Sequence, residues 1–304
     1  MANSEMDVID LFSGSGGYSK GAELAGANIA LAIEGDAQIA RVYSQNFGHE
    51  ARVEMLGGEV EQIAREILQR FDRDRLMIHG SPPCQRLSQA NTVTRNAAAG
   101  LELVNWYLDL VERVNPRFWS MEQVNHPEVR LLLERRGLPY TIVNALNFGV
   151  PQSRIRIVAA SEPIVNALKA QDGRGATVVP KDVLVSLQPP ARYLLTSGTT
   201  NQPIHQRNED GVRVTVGYRR MANDEGGRDL FTPCHTIWSK PGNVFDTQTG
   251  SVRKLTPGEC MVLQAFPPNF QLDDRSIARS YRVVGNSIPP PLARFIVSTA
   301  VSAM

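Results

Sequence analysis

A cysteine follows two prolines in the stretch HGSPPCQRLSQAN, residues 79–91. Pro82 and Pro83 restrict the backbone in front of Cys84, and the polar residues that come after it predict a mobile loop. Covalent catalysis needs a thiol that is held in one direction, and substrate entry needs a segment that can move. A single cysteine after a strand is more often a small buried hydrophobic residue, so this stretch alone leaves both interpretations open.

A carboxylate is expected near that thiol. Cys84 follows the predicted strand 76–80, and Glu122 ends the predicted strand 117–122. The carboxyl ends of parallel strands meet at one edge of an α/β sheet, where such folds bind ligands. A thiol and a carboxylate in one crevice suit covalent catalysis assisted by a general acid, although Glu122 alone is more typical of a surface or capping residue.

Two arginines alternate with other residues in PQSRIRIV. Gln152, Arg154 and Arg156 follow the period of a strand, which predicts that Arg154 and Arg156 point to one face. Paired guanidinium groups suit a base carbonyl or a phosphate. Alternating arginines also form ordinary solvated salt bridges, so this pattern needs support from the rest of the chain.

A glycine-rich turn follows the first predicted strand in DLFSGSGGYSKGAELAG. Gly14, Gly16 and Gly17 would let the backbone approach a ligand at the start of a helix, where an anionic group is favoured. Glu34 ends the next predicted strand, the position at which an acidic side chain meets ribose hydroxyls in nucleotide-binding folds. The Gly-x-Gly-Gly spacing differs from the dinucleotide fingerprint, so the pattern favours another nucleoside-bearing cofactor over NAD. A tight turn followed by a surface glutamate is the alternative.

Alternating strands and helices must position these residues. Apolar strand-like segments and helical segments follow one another from residue 6 to about residue 160, which predicts an α/β fold, doubly wound around a mostly parallel sheet. Residues 171–251 are rich in Gly, Pro, Thr, Asn and Gln and predict a smaller, loop-rich domain. Thr256 and Glu259 have the spacing of a capping box, so a helix is expected over 256–266. The apolar C-terminal segment predicts a last helix that packs back on the sheet.

The overall composition fits a soluble globular protein of 304 residues with a net charge of +1. That charge neither indicates nor excludes nucleic acid, since a local cleft can be basic in a neutral protein. Cys84, Cys234 and Cys260 are the only cysteines, an odd and widely spaced set that argues against disulfides and a zinc cluster. We expect no metal, no signal peptide, no membrane span and a cytoplasmic location.

Six segments in order resemble the motifs of the DNA (cytosine-5) methyltransferase family. They are DLFSGSGG, GSPPCQRLS, MEQV, PQSRIRIV, RKLTPGECMVLQAFP and VGNSIPPPLA, and together they span almost the whole chain. The resemblance implies a Rossmann-like S-adenosylmethionine-dependent catalytic domain over 1–160 and 276–304. It also implies a small target-recognition domain over 161–275.

The resemblance implies a catalytic role for five residues. Cys84 would add to carbon 6 of a flipped cytosine, and Pro83 would rigidify its approach. Glu122 would bind the ring N3 and the exocyclic amine. Arg156 would hold O2, with Arg154 supporting the site. No metal is needed for this chemistry.

The implied cofactor is S-adenosyl-L-methionine, with S-adenosyl-L-homocysteine as its product. Phe12 would face the adenine, the glycines would lie near the methionine carboxylate, and Glu34 would bind the ribose. The cofactor-binding residues implied in this way are Phe12, Ser13, Gly14, Gly16, Gly17, Glu34, Glu59, Val60, Pro82, Leu103, Asn286 and Ser287. Glu59 stands where the family usually has Asp, and Gln123 in MEQV replaces the family's Asn.

The implied partner is double-stranded DNA. The polar stretch after Cys84 corresponds to a loop that closes over DNA, and the second domain is short. The residues expected to contact DNA are Gln85, Ser88, Gln89 and Asn91 in the loop, and Arg207, Arg213, Arg219 and Arg220 in the small domain.

Two alternative functions stay open from the sequence. One is a cytosine-5 methyltransferase that acts on tRNA, although the Cys-Phe-Thr tripeptide of that branch is absent. The other is a catalytically silent DNA-binding homologue, against which the intact Cys84, Glu122, Arg154 and Arg156 argue. We expect a monomer in a prokaryotic or phage-infected cell, associated with the nucleoid when on DNA, with a restriction endonuclease as its companion.

Overall fold

The structure, a computed structural model, describes residues 6–83, 97–171, 173, 178–179, 213–215, 233–238, 243–246, 251–272 and 276–304. The strands are β1 Asp7–Leu11, β2 Asn28–Glu34, β3 Arg52–Val53, β4 Leu76–Gly80, β5 Phe118–Val124, β6 Tyr140–Asn144, β7 Gln152–Ser153, β8 Ile155–Ala160, β9 Arg213–Thr215, β10 Cys234–His235, β11 Asn243–Asp246 and β12 Ser251–Lys254. The helices are α1 Gly17–Leu24, α2 Ala37–Asn46, α3 Val60–Arg70, α4 Ala97–Val114, α5 Pro127–Arg135, α6 Glu162–Gln171, α7 Pro257–Leu263, α8 Ile277–Asn286 and α9 Pro290–Ser302.

A seven-stranded sheet forms the centre of the fold, in the order β3-β2-β1-β4-β5-β8-β6. The first five strands are parallel, and β8 runs antiparallel to both β5 and β6. Among the helices of the first unit, α9 packs on α1 and α6, and α4 packs on α3 and α5. The prediction of a mostly parallel, doubly wound α/β sheet is confirmed.

Apolar residues of the central strands explain why this sheet is buried. Every residue of β4 is buried, and β1 is buried from Val8 to Leu11. Strands that are covered on both faces have continuous apolar sequences rather than sequences that alternate between apolar and polar residues. Ile9, Leu11 and Ile78 accordingly belong to one core cluster with side chains of α3 and α4.

The chain divides into two compact units. The first comprises residues 1–144, 155–174 and 290–304, and the second comprises 145–154 and 175–289. The predicted domain bounds differ from this division, because 145–154 and 276–289 belong to the second unit and 161–174 to the first. Contacts explain the difference: α8 packs on α7, whereas α6 packs on β6 and α9.

The second unit contains two small sheets among its described residues. One is the parallel pair β7 and β10, and the other is the antiparallel sheet β9-β11-β12. The capping box is confirmed, since Thr256 Oγ1 accepts from Glu259 N and Glu259 Oε2 accepts from Thr256 N. No helix in the described ranges is long and apolar enough to cross a membrane.

Helix α1 meets the last helix at a glycine. A Cβ atom added at Gly21 would lie 2.5 Å from Ala293 Cβ and 2.5 Å from Pro290 O. The predicted C-terminal helix is confirmed as α9, but it packs mainly on the helices α1 and α6 rather than on the sheet as expected. The close approach therefore depends on the missing side chain at Gly21.

We expect Gly21→Ala to lower the free energy of unfolding by about 1–3 kcal/mol, because the added methyl group overpacks the contact between α1 and α9. Urea unfolding measures this loss. The matched control is Gly48→Ala, since a Cβ at Gly48 would meet nothing within 4 Å. Equal stability of the two variants would contradict the packing argument.

A carboxylate lies buried beneath the start of α1. Asp10 Oδ2 accepts from Ser19 N at 3.2 Å and from Ser19 Oγ at 2.6 Å. Tyr43 Oη donates to Ser19 Oγ at 2.9 Å. Burial raises the pKa of Asp10 from 3.8 to about 7, although the bonds from Ser19 oppose the shift.

Asp10 should make the protein less stable as the pH rises between about 4 and about 7. In that window Asp10 ionises in the unfolded chain while it stays protonated in the folded protein. Its contribution to the free energy of unfolding is therefore complete at low pH and is lost as the pH rises through the folded pKa. The slope is on the order of 1.4 kcal/mol per pH unit. Urea unfolding of the wild type and of Asp10→Asn across this pH range isolates the effect. If the free energy of unfolding changed equally with pH in both proteins, the role of Asp10 would be contradicted.

Candidate active site

The carboxyl ends of four parallel strands bring the predicted residues of the first unit to one edge of the sheet. Strands β2, β1, β4 and β5 are consecutive neighbours. Two backbone hydrogen bonds join the segments that leave them, from Ser13 N to Ile33 O at 2.9 Å and from Ser81 N to Leu11 O at 3.2 Å. The glycine-rich turn and the segment before Cys84 therefore begin side by side.

The glycine-rich turn is open beside Gly14, whereas a Cβ at Gly16 would clash with the Phe47 ring. Gly14 and Gly16 have φ angles of 57° and 94°, in the left-handed region that suits glycine, and Gly16 is the residue before α1. A Cβ at Gly14 would meet nothing within 4 Å. Ser13 Oγ is buried and has no hydrogen-bond partner within the described chain. An open backbone position thus lies beside an unpartnered hydroxyl.

Glu34 ties the second strand to this turn. Its Oε2 accepts from Gly14 N at 2.9 Å, and its Oε1 accepts from Asp36 N at 2.9 Å. Burial raises the pKa of Glu34, and the backbone donors oppose that shift. A carboxylate has about four acceptor positions, so capacity remains for further donors such as hydroxyl groups. The predicted place of Glu34 at the end of β2 is confirmed.

Phe12, directly after β1, forms an aromatic pair with Trp106 of α4. The rings of Phe12 and Trp106 meet edge to face with centroids 6.1 Å apart, and Trp106 Nε1 donates to Gly58 O at 2.8 Å. The sequence interpretation missed Trp106, which stands one helical turn after the predicted Leu103. Val60 and Leu103 are half-buried, and Glu59 is exposed at the start of α3.

Glu122 and Arg156 form a buried ion pair. Arg156 Nε lies 2.9 Å from Glu122 Oε1, with side-chain exposures of 13% and 8%. Val124 is the cross-strand partner of Arg156, so Glu122 is its diagonal neighbour on the same face. The ion pair lacks hydrogen-bond alignment, and Glu122 Oε1 has no hydrogen-bond partner among the described residues. Strand β5 continues to Val124, so the expectation that Glu122 ends its strand was wrong.

The prediction that Arg154 and Arg156 share one strand face is also wrong. Strand β7 ends at Ser153 and β8 begins at Ile155, so only Arg156 belongs to a strand. Arg154 is buried in the second unit. Its guanidinium donates to Gly285 O at 3.1 Å through both terminal nitrogens and to Ile237 O at 3.2 Å.

Gln152 is also buried in the second unit, where its side chain forms hydrogen bonds with both backbone and side-chain atoms. Its Nε2 donates to Leu263 O at 3.2 Å and to Gln264 Oε1 at 3.0 Å, and its Oε1 accepts from Ile237 N at 2.7 Å. Asn286 is exposed at the end of α8, and the buried Ser287 donates to Val283 O at 2.7 Å.

Gln123 holds the segment that leads to Cys84. Its Nε2 donates to Pro82 O at 3.0 Å, and its Oε1 accepts from Val124 N at 2.8 Å. Pro82 is buried, whereas Pro83 is exposed. The glutamine that departs from the expected motif thus anchors the proline pair from β5.

The remaining predicted residues lie outside the described residues. They are Cys84, Gln85, Ser88, Gln89, Asn91, Arg207, Arg219 and Arg220. Arg213 opens β9, and its side chain is not part of the description.

Comparisons with known proteins identify the family. The model of the C-5 cytosine-specific DNA methylase family matches residues 6–128 and 136–302. The chain belongs to this family.

Curated DNA methylases resemble the chain over nearly its full length. The Type II methyltransferase M.MthTI of Methanothermobacter thermautotrophicus is 26% identical over 326 residues, which cover 95% of this chain and 94% of that protein. The Type II methyltransferase M.HindV of Haemophilus influenzae is 26% identical over 322 residues, with 98% and 97% covered. The chain is a DNA (cytosine-5) methyltransferase.

Solved structures share the fold of this methylase. A DNA modification methyltransferase encoded within an E. coli prophage superposes with a TM-score of 0.67 at 21% identity, covering 97% of this chain and 98% of that one. The S. pombe Dnmt2 methyltransferase gives a TM-score of 0.64 at 18% identity, with 98% and 99% covered.

The methylase family implies S-adenosylmethionine as cofactor, and the residues of the first unit fit it. The open position at Gly14 suits close approach of a ligand to the backbone. The buried Ser13 hydroxyl lacks a partner within the described chain, and the Glu34 carboxylate has acceptor capacity left for a ribose. The Phe12 ring supplies an aromatic surface.

Gln123→Ala should lower kcat for methyl transfer about tenfold, because the anchor of Pro82 from β5 is lost. Affinity for S-adenosylhomocysteine should change less than kcat, since Pro82 is the one described residue of the implied cofactor set that Gln123 bonds, and it accepts through its backbone oxygen. Transfer of a labelled methyl group to DNA and calorimetric titration measure the two quantities. Gln45→Ala, an exposed change on α2, is the control. Unchanged kcat in Gln123→Ala would contradict the anchoring role.

Proposed function

We propose that this methyltransferase acts on carbon 5 of a cytosine extruded from duplex DNA, through a transient covalent bond between Cys84 and carbon 6. The observation that carries the proposal is the Glu122–Arg156 pair. It places a buried carboxylate oxygen without a hydrogen-bond partner among the described residues beside a guanidinium. The Pro82–Pro83 segment leads to Cys84 from the neighbouring strand.

Cytosine chemistry explains why these groups are needed together. Carbon 5 of cytosine is too weak a nucleophile to take a methyl group directly. Addition of the Cys84 thiolate to carbon 6 removes the ring aromaticity and gives carbon 5 the character of an enamine. The bound cofactor supplies a methyl group activated on a sulfonium. Carbon 5 then loses its proton to a base, and departure of the thiolate restores the aromatic ring and the free cysteine.

Glu122 and Arg156 would compensate the charge that develops on the ring. In its protonated form, Glu122 donates to N3 as the thiolate adds, and its other oxygen accepts from the exocyclic amine. Arg156 Nε is already 2.9 Å from Glu122 Oε1, so a guanidinium is available to the O2 atom of the same base. Burial strengthens both interactions because water is excluded.

The residues of the first unit would hold the cofactor. Phe12 would face the adenine, Glu34 would bind the ribose, and Ser13 with the turn at Gly14 would lie near the methionine portion. The unpartnered Ser13 hydroxyl and the open space at Gly14 support this placement. For Asn286 and Ser287, the proposal rests on the sequence resemblance alone.

Duplex DNA is the proposed substrate, and its reactive base must leave the stack because carbon 6 is inaccessible within a duplex. The segment after Cys84 and the arginines of the second unit are the proposed DNA contacts. The Type II names of the relatives support a place in a restriction-modification system with a companion endonuclease. We propose a monomer that acts on nucleoid DNA.

Expression in a host without cytosine methylation, followed by bisulfite sequencing, tests the reaction and identifies its target site. We expect Cys84→Ala to lower the rate more than about 10⁴-fold and Glu122→Gln about 10²-fold, because nucleophile and acid act on the same ring. Cys260→Ala is the matched control, since Cys260 is a buried cysteine on α7.

Two results would refute the proposed function. One is unmodified host DNA from a protein that is folded and binds S-adenosylmethionine. The other is full methyl transfer by Cys84→Ala. A parallel assay with tRNA separates the DNA reaction from the RNA alternative.

A further inference from the structure

Three polar residues form a row across the buried sheet. Asp10 of β1 is the partner of His79 of β4, and His79 is the partner of Ser120 of β5. Their exposures are 1%, 0% and 0%, and paired residues of neighbouring strands share one face. A histidine at the centre of an apolar sheet is costly unless its polar atoms have partners, so each of its contacts matters.

Both ring nitrogens of His79 have hydroxyl partners. Nδ1 lies 2.9 Å from Ser120 Oγ, and Nε2 lies 2.9 Å from Ser81 Oγ. Burial lowers the pKa of His79 well below its usual value, so the ring is neutral. A neutral imidazole has one donor and one acceptor, so one serine accepts and the other donates.

Tyr18 of α1 contacts both His79 and Ser120. Its ring stacks on His79 with centroids 3.4 Å apart, and its hydroxyl lies 3.0 Å from Ser120 Oγ. The Tyr18 hydroxyl also lies 3.7 Å from Met77 Sδ, a weak acceptor. The ring of His79 is therefore held by stacking on one face and by a hydroxyl at each nitrogen.

Ser81 is the residue through which this chain of bonds reaches the proline pair. The segment Ser81–Pro82 is held by the His79 ring, by Ser81 N donating to Leu11 O at 3.2 Å, and by Gln123 Nε2 donating to Pro82 O at 3.0 Å. The His79 bond is the one that acts on the Ser81 side chain. It fixes the rotation of the residue from which Pro82, Pro83 and Cys84 follow.

We propose that His79 is a positioning residue for the nucleophile. The hydrogen bond between its Nε2 and the Ser81 hydroxyl orients the segment Ser81–Pro83, and through that segment it orients the thiol of Cys84. The inference rests on the proposed function, because it assigns Cys84 as the group that must be positioned.

A pair of substitutions at His79 separates positioning from packing. The amide of Gln reaches the position of Nε2, whereas the amide of Asn reaches only that of Nδ1, and both variants lose the stacking on Tyr18. We expect His79→Gln to retain most of the activity. We expect His79→Asn to lower kcat about tenfold, because only that variant loses the bond to Ser81.

Ser81→Ala and Ser120→Ala form a second pair that does not alter the histidine. We expect Ser81→Ala to lower kcat about tenfold with an unchanged KM for DNA and unchanged affinity for S-adenosylhomocysteine. We expect Ser120→Ala to lower the unfolding midpoint in urea and to lower kcat less than Ser81→Ala does, because the bond between His79 Nε2 and Ser81 keeps both of its partners. Ser81 is half-buried, so its variant tests the proposal even if the His79 variants do not fold.

Alkylation by iodoacetamide measures the reactivity of the Cys84 thiol independently of the methyl transfer reaction. Peptide mass mapping follows Cys84, with the buried Cys234 and Cys260 as internal references. The pH midpoint and maximal rate of alkylation should change in Ser81→Ala and His79→Asn and should match the wild type in His79→Gln.

Equal kcat and alkylation in the wild type, Ser81→Ala and His79→Asn would overturn the positioning role while leaving the covalent mechanism intact. The same holds if His79→Gln and His79→Asn lose activity equally and Ser81→Ala loses none. Full methyl transfer by Cys84→Ala would instead refute the proposed function, and the alkylation rates would still decide whether His79 positions this thiol.

Discussion

Strands β1 and β4 lie side by side at the centre of the seven-stranded sheet, with Asp10 opposite His79 and Leu11 opposite Gly80. In this register β1 and β4 end side by side, so the turn at Ser13 and the segment at Ser81 start as neighbours. A shift by one residue would move every side chain of β4 to the other face. His79 would leave its hydroxyl partners, and Ser81 would lose its bond to the Leu11 carbonyl.

The polar groups beneath and beside this edge are expensive to bury. The Glu122–Arg156 pair and the carboxyl of Asp10 lose hydration that their partners replace only in part. Apolar residues of similar volume often stabilise a fold as well as a buried ion pair does. Stability alone therefore does not explain why Glu122 and Arg156 are buried together, whereas the proposed reaction would give this pair a role.

Local patterns predicted much of the first unit and one helix of the second. The alternation of strands and helices, the place of Glu34 at the end of β2 and the capping box at Thr256 all depend on residues that are close in sequence. Arg154 was misplaced because its partners, Ile237 and Gly285, are far away along the chain. Trp106 was missed for the same reason, since its partners Phe12 and Gly58 are also far away along the chain.

The contact between α1 and α9 has a consequence for how the chain is made. Helix α1 leaves the ribosome long before α9, the helix that covers Gly21. The surface of α1 at Gly21 therefore stays uncovered until α9 has been synthesised. Domains generally fold as units during synthesis, so the first unit can reach its final packing only after α9 has left the ribosome. A nascent chain truncated before residue 290 would hold the proposed cofactor turn without the helix that supports it.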